Sequence, residues 1–128
     1  MKIENENYFL SIDTVKNMYH VKIKPANMNL ERMKSFVNDQ MKLLEKLRSD
    51  MLVLSDMSEA PMIPKEAIKE LQGVQEYALK IGVKKDARVV SKSELANIAF
   101  GTTDKASGLK DSLKYFDSIL EAEKWLFE

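Results

Sequence analysis

The chain has 128 residues, 45% of them hydrophobic and 31% charged, and its 20 basic side chains cancel its 20 acidic ones. That length makes one domain, 1–128, large enough to bury a core without staples, and the balance excludes a disordered chain, which needs fewer apolar residues and more net charge. There is no basic surplus to neutralise nucleic-acid phosphates. With no cysteine, disulfides, thiol nucleophiles and cysteine-type zinc sites are excluded as well.

Met1 to Asn7 carries Lys2, Glu4 and Glu6 and no apolar run, so it does not read as a signal peptide. Lys2 after the initiator methionine rules out N-myristoylation. No stretch approaches the roughly 20 apolar residues of a membrane span, and a cytoplasmic location is the expectation. The first periodicity is two: Tyr8, Leu10 and Ile12, then Tyr19, Val21 and Ile23 after a turn at Lys16–Asn17. Two such runs predict a β-hairpin whose second strand ends at Pro25.

Asn29 has the chemistry of a helix N-cap. Leu30, Met33, Val37, Met41, Leu44 and Leu47 follow at spacings of three and four, a single apolar stripe on a helix of about five turns. Met51–Leu54 is a short apolar run suited to a strand covered on both faces. Ser55 to Pro64 reads as a loop, with Pro64 opening a second helix that carries Ala67, Ile68, Leu71, Val74, Ala78 and Ile81 inward and stops at Gly82. Lys84, Lys85 and Arg88 read as a solvated basic turn before a strand at Ala87–Val90. Ser93 caps a short helix with Leu95, Ala96, Ala99 and Phe100 inward, and Gly101–Gly108 reads as a polar loop. Leu113–Phe116 is the last strand, and Ser118 with Glu121 forms a capping-box pattern before a helix presenting Ile119, Ala122, Trp125 and Leu126. The order ββαβαβαβα predicts an α/β fold. Its sheet is mixed but mostly parallel, with right-handed crossovers and helices packed on it.

This order, the strand Leu52-Val53-Leu54 running into Ser55-Asp56, and the closing Tyr115-Phe116-Asp117-Ser118-Ile119-Leu120-Glu121-Ala122-Glu123-Lys124-Trp125-Leu126 resemble the STAS-like, anti-sigma-factor-antagonist-like family, which borders on CRAL-TRIO-like lipid-binding proteins. The resemblance spans the chain as a pattern and matches in detail over the last dozen residues. It implies a STAS-like fold and a regulatory, non-enzymatic role in binding another protein. The chain departs from the family at its phosphorylated switch, an Asp-Ser-Ser-Gly-like segment. Here the region reads Asp56-Met57-Ser58-Glu59-Ala60-Pro61-Met62-Ile63-Pro64, with no serine directly before Pro64.

The loop after the most buried strand is the candidate site, because ligands of open α/β sheets bind beyond the carboxyl ends of strands. Asp56, Met57, Ser58, Glu59, Met62 and Lys65 are its candidate partner or ligand residues, and Ser58 is its candidate phosphorylation site. Ordinary turn chemistry explains the same Asp and Ser residues. Met57 and Met62 suit either an adaptable binding rim or core filling. His20, the one histidine, has no nucleophile or orienting acid beside it in sequence. Gly101-Thr102-Thr103-Asp104-Lys105-Ala106-Ser107-Gly108 has the composition of a phosphate cradle but not the order of a P-loop. No metal or cofactor motif is present.

Three readings result. The first is a protein-interaction module using the 55–64 loop and the start of the next helix. The second is a carrier of a small apolar molecule or lipid in a pocket under that loop, lined by Met57, Met62 or Ile63. The third, an enzyme, needs a cleft that gathers His20, Asp56 or Glu59. An exposed edge of the opening hairpin would also allow a homodimer.

Overall fold

The computed structural model, covering Met1–Glu128, is an α/β fold with one six-stranded sheet in the order β1-β2-β3-β4-β5-β6. The strands are β1 (Lys2–Glu4), β2 (Tyr8–Asp13), β3 (Met18–Ile23), β4 (Met51–Asp56), β5 (Val83–Val89) and β6 (Leu113–Phe116). The first three pair antiparallel, and β3 through β6 pair parallel. The helices are α1 (Leu30–Leu44), α2 (Lys65–Ile68), α3 (Glu70–Ile81), α4 (Glu94–Ser107) and α5 (Ile119–Leu126), with a 3-10 turn at Leu109–Ser112.

Each parallel strand is added on the same side of its predecessor. Right-handed crossovers therefore put α1, α3 and α4 on one face. There they bury Tyr8, Leu10, Tyr19, Val21, Ile23 and Val53 of the sheet beneath Met33, Phe36, Leu71, Val74 and Phe100. After β6, α5 folds back over the other face. It covers Leu54, Ala87 and Val89 with Ala122 and Leu126. This helix packs on β4, β5 and β6, so Phe9, Ser11, His20 and Lys22 on the same face of β2 and β3 stay half-exposed.

Most local signals act as expected. Asn29 accepts from the Arg32 amide at 2.9 Å, Ser93 from Ala96 at 3.3 Å and Ser118 from Glu121 at 3.2 Å. Gly82 ends α3 at φ 123°, a conformation that strains any other side chain, and a Cβ there would crowd the Ser49 backbone at 3.1 Å. Four boundaries differ from expectation. An extra edge strand, β1, covers the hairpin, since Lys2–Glu4 pairs with Phe9–Ser11. The helix opened by Pro64 breaks at Lys69 into α2 and α3. Strand β5 starts at Val83, four residues before the expected Ala87. Most consequential, Gly101–Ser107 is not a loop but the second half of α4. Leu95, expected inward on that helix, is exposed.

Asn17 and Arg48 lock the hairpin turn to the segment entering β4, the Arg48 guanidinium donating to the Thr14 carbonyl at 2.8 Å. Asn17 is buried and sits at φ 55°, the left-handed region that asparagine tolerates better than most side chains. Its amide donates to the carbonyls of Arg48 and Ser49 at 3.0 and 2.9 Å and accepts from the Arg48 amide at 3.0 Å. Asn17→Ala should cost about 2–4 kcal/mol in urea unfolding, from orphaned backbone groups plus left-handed strain. Asn17→Gly should recover only the strain.

Candidate functional site

Two places in the fold gather polar side chains, one on each face of the sheet. The first is the expected loop. Ser55 and Asp56 belong to β4 itself and are buried, so the loop proper is 57–64. Asp56 closes it as an Asx turn: Oδ1 accepts from the Ser58 amide at 3.1 Å and from the Ser58 hydroxyl at 2.6 Å. Lys22, opposite Asp56 across the β3–β4 pairing, lies 2.6 Å from Glu59 and 3.8 Å from Asp56. Its hydrogen bond to Glu59, more than any other influence, raises its pKa above the ordinary lysine value.

The two loop methionines separate. Met57 is buried in the main core, whereas Met62 is 59% exposed. Ala60 and Ile63 are also buried, and the Ser91 hydroxyl donates to the Ala60 carbonyl at 2.6 Å, tying the loop to the segment entering α4. Lys65 is exposed at the start of α2.

His20 shares this face of the sheet but is joined to neither carboxylate. It stacks edge-on against Phe9 with ring centroids 5.2 Å apart, and its Nε2 is buried without a hydrogen-bond partner. Burial lowers its pKa, with Asp56 and Glu123 opposing. No hydrogen bond or ion pair links His20 to Asp56 or Glu59.

The second place lies between the sheet and α1, α3 and α4, and it centres on residues that sequence patterning assigned elsewhere. Arg88, expected in a solvated basic cluster, points from β5 into the interior, and its guanidinium donates to Asp104 Oδ2 at 2.6 Å. Lys85, of the same cluster, instead reaches the Trp125 carbonyl at 2.8 Å on the α5 face. Asp104 is 1% exposed and also accepts from Gln75 at 2.9 Å and from the Tyr115 hydroxyl at 3.1 Å.

The hydroxyls of this segment, which has the composition of a phosphate cradle, bond within the protein. Thr102 and Thr103 hydroxyls donate to carbonyls four residues back, and Ser107 donates to Gln75 at 2.6 Å. One signal was available: Ala96, Phe100, Thr103, Asp104 and Ser107 continue the helical spacing of three and four, but with polar residues where apolar ones are normally sought.

Beside this pair, Asp86 lies on the same face of β5 and is buried, accepting from the Ser55 hydroxyl at 3.0 Å. Burial pushes its carboxyl up to about 6, against the lowering effects of Arg88 and Ser55, and Asp104 adds to the rise. A cavity of about 60 Å3 opens here, lined by Tyr19, Gln40, Ser55, Asp86 and Arg88 among mostly apolar walls. Of the residues expected to line a pocket under the 55–64 loop, Met57 contributes to its wall, whereas Met62 and Ile63 do not. Tyr19 donates to Gln40 Oε1 at 2.8 Å, while Gln40 Nε2 and Arg88 Nε are each buried without a hydrogen-bond partner.

No family model, no curated protein and no solved structure matches this chain. The site is therefore read from its own residues.

The Asp86 carboxyl gives a signed pH dependence. Its folded pKa lies above its unfolded value, so the native state binds the extra proton. The stability that this proton supplies is present at low pH and is lost as pH rises through about 6. Asp86→Asn cannot lose it. The stability of Asp86→Asn relative to wild type should therefore rise by about 1 kcal/mol between pH 5 and pH 7, read from urea midpoints at both pH values.

Proposed function

We propose that the chain is a non-catalytic, STAS-like interaction module that docks another protein through the 57–64 loop and the adjoining start of α4. The observation that carries this reading is apolar exposure on a fixed frame. Met62 stands out from a loop whose neighbours Met57, Ala60 and Ile63 are buried, and Leu95 and Ile98 are exposed at 61% and 65% on the helix to which the loop is tied. Exposed apolar side chains held by rigid supports, with cations such as Lys65 beside them, suit a protein contact, because little ordering entropy is lost on docking. The order of strands and helices and the closing residues 115–126 support the family assignment.

On this reading Ser58 is a regulatory position. A phosphate there removes the hydroxyl proton now donated to Asp56 and sets strong negative charge beside Asp56 and Glu59, with Lys22 the nearby cation. The loop that presents Met62 would reorganise.

The interior cavity favours a second reading, binding of a small molecule. Its volume of about 60 Å3 lies well below the roughly 300 Å3 at which drug-sized pockets begin, which argues for a very small ligand and against a lipid chain.

The test of the docking reading is cross-linking in the native host followed by mass spectrometry, comparing wild type with the Met62→Asp/Leu95→Asp double variant. Both positions are exposed, so the melting temperature should hold while the captured protein falls at least tenfold. Equal capture by a normally folded variant would remove this surface from consideration. Met57→Ala belongs outside the comparison, because it opens the core.

A further inference from the structure

We propose that the free edge of β6 pairs with β6 of a second copy of this chain, antiparallel about a two-fold axis, so that one sheet runs through a homodimer. This goes beyond the docking reading and uses neither Met62 nor Leu95.

The sheet has two edges, β1 and β6. Strand β1 covers the hairpin edge. It is three residues long, two of them charged, and Glu4 is paired to Lys24 at 2.9 Å. Short, charged strands protect an edge. In β6, by contrast, Leu113, Tyr115 and Phe116 make three of the four residues apolar or aromatic.

The backbone of β6 offers a place for another strand. The Phe116 carbonyl accepts from the Val90 amide at 3.0 Å, so Phe116 and Lys114 turn their peptide groups toward β5. These groups alternate along a strand. The N–H and C=O of Tyr115 therefore point away from the sheet, where no strand follows. Opposite its own copy, Tyr115 exchanges both hydrogen bonds in one closely spaced pair. Its ring is already held, since the hydroxyl donates to Asp104 at 3.1 Å while the residue stays 49% exposed. Pairing then costs this side chain little further ordering. Leu120, exposed in the first turn of α5, adds apolar surface just beyond the strand.

Charge selects the second copy and its direction. The entry end of β6 carries Lys110 and Lys114 against Asp111, and Lys105 shares a cleft there with Lys110 and Tyr115. The exit end carries Asp117 and Glu121, and all six charged residues are exposed. Antiparallel pairing sets the entry end of each copy against the exit end of the other, so opposite charges meet twice. Parallel pairing would set like against like. An acidic strand from an unrelated protein would satisfy the lysines but leave Asp117 and Glu121 beside like charge. With Tyr115 opposite Tyr115, Leu113 lies opposite Asp117 of the second copy. Lys110, in the 3-10 turn just before Leu113 and on the Tyr115 side of the sheet, is placed to reach that carboxylate.

The experiment is analytical ultracentrifugation of the full chain from about 10 μM to about 1 mM, for wild type, Lys110→Glu, Asp117→Lys and the double swap. Both positions are exposed, so the melting temperatures should hold. Wild type should dimerise. Each single reversal should weaken the dimer about tenfold, because the two-fold counts every pair twice and reversal turns attraction into repulsion. The double swap restores opposite charges and should return to within about threefold of wild type. Tyr115→Pro, which removes an outward N–H and leaves the β5 ladder its donors, should abolish the dimer. A chain that stays monomeric at the highest concentration would overturn the proposal. So would a dimer that neither single reversal weakens, or a double swap that adds the two losses. The charge variants decide the matter even if Tyr115→Pro folds poorly. Failure here leaves capture through Met62 and Leu95 unaffected.

Discussion

A guanidinium and a carboxylate buried together inside a small domain lose their hydration, and only good geometry with further hydrogen bonds offsets that loss. Arg88 and Asp104 meet the condition. The pair is 2.6 Å apart, and Asp104 gathers two more donors, Gln75 from α3 and Tyr115 from β6. Four elements therefore converge on one carboxylate, because Arg88 belongs to β5 and Asp104 to α4. The parallel half of the fold is held in register by this cluster as well as by its apolar core. Removing either charge would strand the other, whereas replacing both with apolar groups of matching shape could be close to neutral.

The same cluster explains why the interior is not fully packed. Polar side chains on adjacent strands, Ser55 on β4 with Asp86 and Arg88 on β5, stand where the opposing helix face would otherwise press apolar groups against the sheet. Polar atoms need partners at fixed angles as well as contact, and these constraints leave space that methyl and methylene groups would have closed. Elsewhere in the same core, Met51 and Leu43 are almost completely buried.

How far the sequence disclosed this depends on which physical signal each residue carries. The hairpin, α1 and α5 have strong periodicity, the two helices with cap residues as well, and β4 is a short apolar run; all four lie close to where those signals place them. The polar half of α4 was hidden because Thr103, Asp104 and Ser107 occupy the inward positions of a helix without being apolar. Composition then outweighed spacing, and two glycines in Gly101–Gly108 favoured a loop. Arg88 was hidden for the complementary reason: a cation beside Lys84 and Lys85 reads as surface, and only the alternation of β5 turns it inward. The loop residues Asp56, Ser58 and Glu59 were legible as turn chemistry. That Met57 faces the core while Met62 faces solvent was not, because an irregular segment has no period from which burial can be read.

The two faces of the sheet also divide what each can sense. Residues of β4 alternate, so Ser55 looks toward the cavity and Asp56 toward Lys22 and the loop. Met57, immediately after Asp56, turns back and forms part of the cavity wall. A change in the Asx turn that holds Ser58 therefore pulls on a residue whose other side borders the cavity. Filling the cavity pushes on the same residue from within. Close packing transmits displacements of this kind, since side chains in a dense core cannot shift independently. Because Met57 is the flexible thioether among those wall residues, it can absorb a small displacement by changing rotamer.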